Sequence, residues 1–189
     1  HTDIVRCVGR ENRGEGLLRE QTEVCDAQIT DEPGVALVAF TADCTPILLF
    51  DPVRKAIAAI HAGWRGTALG IAAKTVEAMT RAYGCRPQNI RAAIGPCIGQ
   101  CCFETDEDVP QAMRSALGSE AEACIERRGE KFHVDNKALN RIWLTRAGVR
   151  CIDISADCTM CQPDRFWSHR VTHGERGSLA AVIRLPAQR

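Results

Sequence analysis

The sequence has no surplus of either charge: 24 basic and 24 acidic side chains leave a formal net charge of +0 over 189 residues. That balance removes the broad attraction on which nucleic-acid binders and membrane-surface proteins depend. No apolar run approaches the roughly 18 residues of a membrane span, so neither nucleic acid nor membrane is an expected partner. The opening His1-Thr2-Asp3-Ile4 has no basic stretch followed by an apolar one, so no signal peptide is expected there. Internal repeats, Pro/Ser-rich linkers and blocks of like charge are also missing. The chain therefore reads as one domain, residues 1–189. Its 45% of hydrophobic residues and 25% of charged residues exclude a disordered or low-complexity protein.

Cysteine is abundant by contrast. Eleven is an odd number, and Cys101 and Cys102 are adjacent, which fits a disulfide scaffold poorly. A reducing cytoplasmic setting is expected, in which most thiols act as small core residues and the rest as metal ligands or nucleophiles. Cys97, Cys101 and Cys102 are expected to pack, and the lone Cys158-Thr159-Met160-Cys161 to be structural.

Short β-compatible runs occur at 35–40, 47–50 and 56–60, close enough to predict neighbouring strands of one sheet. Leu69, Ala72, Ala73, Val76, Met79 and Tyr83 then recur at helical spacing, with Thr67 as N-cap and Gly84 just past the end. A strand at 90–94, a helix at 109–117, a helix capped by Asp135, and strands at 149–154 and 179–185 follow. Interleaving of this irregular kind predicts an α+β fold with a mixed β-sheet layered with helices.

Chemistry concentrates in ADCTPILLFDPVRKAIAAIHAGWRG, residues 42–66. Cys44 precedes one predicted strand, and His61 follows the next. Antiparallel pairing would bring both to one sheet edge. Gly63 and Gly66 permit close backbone approach, and Arg65 adds a guanidinium for phosphate or carboxylate. A Cys–His pair serves either as an activated thiolate or as part of a metal site. Asp43 is expected either to orient a ligand histidine or to cap a helix.

The literal wording narrows this. TADCTPILLFDP, IHAGWRGTALGIAAKTVEAM, AAIGPCIGQCCFE and CTMCQPDRFWSHR occur in that order, and together they resemble the YfiH family. That family is also called the laccase-domain or multicopper polyphenol oxidoreductase family, and is now treated as purine nucleoside phosphorylase-like. The resemblance spans nearly the whole chain, although family members run a few tens of residues longer at the N-terminus. It implies a zinc ion held by His1, Cys44 and His61, with Cys44 and His61 at the catalytic centre. One cysteine and two histidines leave a fourth tetrahedral position, as in catalytic zinc sites. Copper also suits such a site. The implied activities are phosphorolysis of purine nucleosides, including methylthioadenosine, and deamination of adenosine. Purine nucleosides and phosphate are the implied partners, with Arg65, Ser168 and Arg170 on the substrate side and a monomer or small homo-oligomer as the assembly. The chain departs from the family wording at His169 in place of tyrosine, at Val171-Thr172, and at Ser178 in place of arginine.

Three other functions remain open on sequence. The family's fold is similar to that of a toxin deamidase with a Cys–His pair, and some members are linked to editing of cell-wall peptide precursors, which gives a cysteine-type hydrolase or amidase. A copper-dependent polyphenol oxidase is weaker, because five histidines without an H-x-H pair cannot hold four coppers. A binding module without turnover is the third.

Overall fold

Strands from 45 to 62 carry apolar residues on both faces, and a strand of that kind is stable only where both faces are covered. The computed structural model, which describes residues 1–21 and 23–187, covers them. In chain order its elements are β1 (Val5–Cys7), β2 (Ala27–Thr30), β3 (Ala36–Thr41), β4 (Thr45–Asp51) and β5 (Ala56–Ala62). Then come α1 (Trp64–Ala68), α2 (Ile71–Tyr83), β6 (Arg91–Ile94), β7 (Glu104–Thr105) and α3 (Asp108–Leu117). The last are β8 (Ile125–Arg128), β9 (Lys131–Val134), α4 (Asn136–Arg146), β10 (Cys151–Ile154), α5 (His169–Thr172) and β11 (Leu179–Arg184).

Six strands form the main sheet in the order β1-β2-β5-β4-β6-β10. The two outer pairs are parallel and the inner ones antiparallel, so the sheet is mixed and the fold α+β. On one face Ile47, Leu49, Ala58 and Ile60 pack against Ile71, Ala72, Val76 and Met79 of α2. On the other, Ile57 and Ala59 meet Leu37 and Ala39 of β3. Full burial of each large side chain here contributes about 1.5–3 kcal/mol, which makes this the principal core. A third cluster joins α3 and α4 through Val109, Met113, Leu117, Val134 and Leu139, alongside a three-stranded sheet in the order β7-β9-β8.

Two expectations are corrected here. β3 does not join its sequence neighbours in one sheet; it pairs antiparallel with β11, and this two-stranded ribbon lies across the main sheet. The helix expected from Thr67 onward is broken by Gly70, whose φ of 77° lies in the left-handed region, so Thr67 sits inside α1 and Leu69 is exposed. Gly84 does end α2, at φ 65°. Asp135 caps α4 by accepting the Ala138 N–H at 3.0 Å.

Candidate metal centre and cavity

β4 and β5 are antiparallel with Pro46 opposite His61 and Thr45 opposite Ala62. Cys44, one residue before β4, therefore lies beside the end of β5. Buried Asn136 at the start of α4 ties the two strands where they meet, donating to Thr45 Oγ1 and to the Ala62 carbonyl, each at 3.0 Å. His1, ahead of β1, closes the group. One ligand atom from each of His1, Cys44 and His61 lies within 4.8 Å of the others. His1 Nε2 is 3.7 Å from Cys44 Sγ, and the two imidazoles stack with centroids 5.0 Å apart. Gly63 makes this approach feasible: a Cβ there would stand 2.6 Å from His1 Cδ2 and 3.3 Å from Cys44 Sγ.

Asp26, immediately before β2, orients His61. The His61 Nδ1–H donates to Asp26 Oδ1 at 2.8 Å, which leaves Nε2 as the free lone pair. The second carboxylate oxygen accepts the Thr2 N–H. Burial works against ionisation of Asp26, but Thr2 and His61 outweigh it and hold its carboxyl below the usual range. A carboxylate behind a histidine is the arrangement that sets a metal-ligating imidazole's tautomer and direction. Sequence reading missed this residue, because one acidic side chain among 24 carries no spacing signal.

Asp43 has a different task. Its φ of 78° turns the chain into Cys44. Its carboxylate accepts Thr159 Oγ1 at 2.6 Å, Ser168 Oγ at 3.0 Å and the Arg170 N–H at 2.8 Å, the last at the start of α5. Of its two expected roles, helix capping is the one seen. Burial and the Asp43 carboxylate push the Cys44 thiol up to about 11.

A cavity of about 300 Å³ opens onto these groups. Phe40, Ile98 and Phe103 supply apolar wall, while Arg170, Arg176 and His169 supply the polar side. That volume lies at the lower end of the range for small-molecule sites. Of the residues expected on the substrate side, Arg170 lines the cavity, with its guanidinium donating to the Glu104 carbonyl at 3.0 Å. Ser168 is buried and acts through Asp43. Arg65 is not among the walls; it is exposed, with its guanidinium 4.2 Å from the Trp64 ring centroid. Arg176 went unnoticed in the sequence, yet it stands in the wall. Its contacts are His169 Nδ1 at 3.4 Å and Ser178 Oγ at 3.3 Å, two of the positions that depart from the family wording.

The donor set suits a metal ion. A sulfur and two imidazole nitrogens are ligands for zinc or copper, and the open side faces the cavity. The expected packing of Cys101 and Cys102 is not seen: Cys101 is exposed and Cys102 half-buried, and both meet Cys158 and Cys161.

Known proteins resemble the chain in sequence and in fold. The profile of the family described as multi-copper polyphenol oxidoreductase laccase matches residues 1–186. The chain is 33% identical over 187 residues to "Purine nucleoside phosphorylase YlmD" of Bacillus subtilis, covering 97% of this chain and 67% of that protein. It is 44% identical over 162 residues to a purine nucleoside phosphorylase of Deinococcus radiodurans, covering 85% and 61%. It is also 38% identical over 151 residues to "Adenosine deaminase RL5" from an unknown prokaryotic organism, covering 78% and 57%. The crystal structure of the Bacillus licheniformis protein YfiH superimposes with a TM-score of 0.93 at 36% identity, covering 98% of this chain and 71% of that one. The chain thus spans about two thirds or less of the curated bacterial relatives, and 36% of the mouse and human ones.

Proposed function

The chain belongs to the multi-copper polyphenol oxidoreductase laccase family, the family of YfiH and YlmD, and from that premise we propose that it is a zinc-dependent purine nucleoside phosphorylase that also deaminates adenosine and accepts methylthioadenosine. The observation that carries the reading is the meeting of His1, Cys44 and His61 in the wall of a cavity that also holds two arginines. His1, Cys44 and His61 would hold the ion. When bound, zinc at such a site supplies Lewis-acid polarisation of a coordinated oxygen.

The chain's own residues supply the rest. Asp26 keeps the proton of His61 on Nδ1 and so presents Nε2 towards the ion. Thr159, Ser168 and the Arg170 N–H hold Asp43, which fixes the backbone turn that delivers Cys44. Arg170 and Arg176 are the cations available to an inorganic phosphate entering the cavity. Phe40, Ile98 and Phe103 form an apolar wall against which a purine can lie, excluding water from the C1′–N9 bond that phosphorolysis breaks. We assign Ser168 a positioning role and place phosphate on Arg170 and Arg176 in preference to Arg65, which lies outside the cavity walls.

The approach of a second imidazole, His1, to Cys44 beside His61 favours this reading over a metal-free cysteine hydrolase, which needs only one histidine next to its thiol. The four-copper oxidase reading finds no support in five histidines without an H-x-H pair. The test is turnover of adenosine by zinc-loaded protein with and without phosphate. Adenine and ribose 1-phosphate in its presence, and inosine in either case, are expected. Absence of all three products from metal-replete protein would overturn the proposal.

A further inference from the structure

Four thiols gather at a second place, away from the cavity. Cys101 and Cys102 lie in a tight turn between β6 and β7, closed by Cys102 N–H to the Gly99 carbonyl at 3.0 Å. Cys158 and Cys161 lie in the loop after β10, which is held against the first turn by a bridge between Cys97 and Cys158. All four sulfurs fall within 4.8 Å of one another, with Cys101–Cys161 at 3.7 Å and Cys102–Cys161 at 3.4 Å. The Gly99 N–H donates to Cys158 Sγ at 3.1 Å. A Cβ at Gly99 would stand 3.2 Å from Cys101 Sγ and 3.2 Å from Cys158 Cβ, so this position too is cleared of side chain.

Packing alone does not account for the cluster. Cys101 and Cys161 are exposed, so gathering them here buries little apolar surface. A disulfide is a poor account as well: Cys161 stands at similar distances from two partners, whereas a disulfide needs one partner at about 2.05 Å. A tetrahedral ion with Zn–S bonds of about 2.3 Å sets its sulfurs about 3.8 Å apart, close to the separations seen. A multi-iron cluster would force four sulfurs further apart than 4.8 Å allows. Four thiolates around one Zn²⁺ leave an excess of negative charge, and the Arg128 guanidinium lies within electrostatic reach of Cys101 and Cys102. The N–H from Gly99 offsets more of it.

We propose that Cys101, Cys102, Cys158 and Cys161 form a structural zinc site that clamps the turn before β7 to the loop after β10. Four sulfurs fill the coordination shell and leave no position for substrate. Binding displaces the thiol protons to solvent. The clamp has a geometric link to the cavity: Thr159, between two of the ligands, donates to Asp43 beside Cys44, and the same loop leads on to Ser168. The site is independent of the function proposed for the cavity.

The deciding experiment uses the full chain carrying both Cys44→Ala and His61→Ala, which removes the first ligand set. This protein is loaded with Zn²⁺ under reducing conditions and freed of loose metal by gel filtration. One zinc ion per chain is expected to remain, with an X-ray absorption shell of four sulfurs at about 2.3 Å. Adding Cys161→Ser, at an exposed position, is expected to abolish that retention. Zinc-free protein, or a shell containing nitrogen or oxygen in place of sulfur, would overturn the proposal. Should the Cys161→Ser protein fail to fold, the absorption shell of its parent decides the matter alone.

Discussion

Asp26 makes no contact with Cys44 in the hydrogen-bond network, yet it controls which nitrogen of His61 points into the cavity. Asp26→Asn keeps the size and removes the charge. Its amide can still accept from Nδ1–H, but more weakly, and it can also rotate its NH₂ towards the ring and select the wrong tautomer. Losing such a partner typically lowers metal affinity about 10–100-fold. The expected outcome for Asp26→Asn is a loss in that range in competition against a chelator, with the circular dichroism spectrum unchanged. Undiminished affinity would show that His61 needs no help from behind. The residue scale is also where sequence reading was most uneven. Cys44 and His61 could be paired on paper because two adjacent apolar runs predict an antiparallel ladder. Asp26, Arg176 and the meeting of Cys101 with Cys161 could not, since the first two have no motif and the last spans 60 residues of chain.

Among the elements, the break between α1 and α2 shows how one backbone angle overrides a periodic pattern. The apolar spacing from Leu69 onward reads as one helix, but Gly70 at φ 77° forces a corner and turns Leu69 outward. The nearest atoms to a Cβ on Gly70 would be those of the Trp143 ring, at an ordinary 3.5 Å, so space is not the obstacle. The cost of Gly70→Ala is therefore the left-handed conformation itself, about 1–2 kcal/mol. Urea unfolding is expected to show a lowered midpoint with an unchanged slope, their product reporting that loss. No loss of stability would mean that the corner straightens on substitution. Strands with continuous apolar content, β4 and β5, were legible because their composition leaves no other place for them. β8 and β9 were not, since Ile-Glu-Arg-Arg and Lys-Phe-His-Val show no clear alternation. The pairing of β3 with β11 escaped as well, because an apolar strand announces that it needs a cover without naming which one.

Across the whole molecule, the buried clusters trap ionisable groups in apolar surroundings, Cys85 beneath the main sheet's helices and Cys124 among α3 and α4. Burial, aided by the Asp51 carboxylate, pushes the Cys85 thiol from 9.0 to about 12, and burial with Asp135 pushes Cys124 to about 11. An acid whose folded pKa is raised holds its proton longer in the native state than in the unfolded one. Its contribution to stability is complete below pH 9.0, then lost as pH rises through about 11 and about 12. The Tm of the reduced, metal-free protein is expected to fall above pH 9, and the slope to be shallower in Cys85→Ala. Identical slopes in the two proteins would assign the alkaline loss to other groups. No helix among the described residues is long and apolar enough to cross a membrane.

β1 is three residues long and, among the described residues, pairs only with β2 at the margin of the main sheet. Short marginal strands fray with a free energy far below that of global unfolding. His1 precedes that strand by four residues, whereas Cys44 directly precedes the interior β4 and His61 lies within the interior β5. Separation of β1 from β2 would carry His1 away from the cavity and leave Cys44 and His61 where the interior strands hold them.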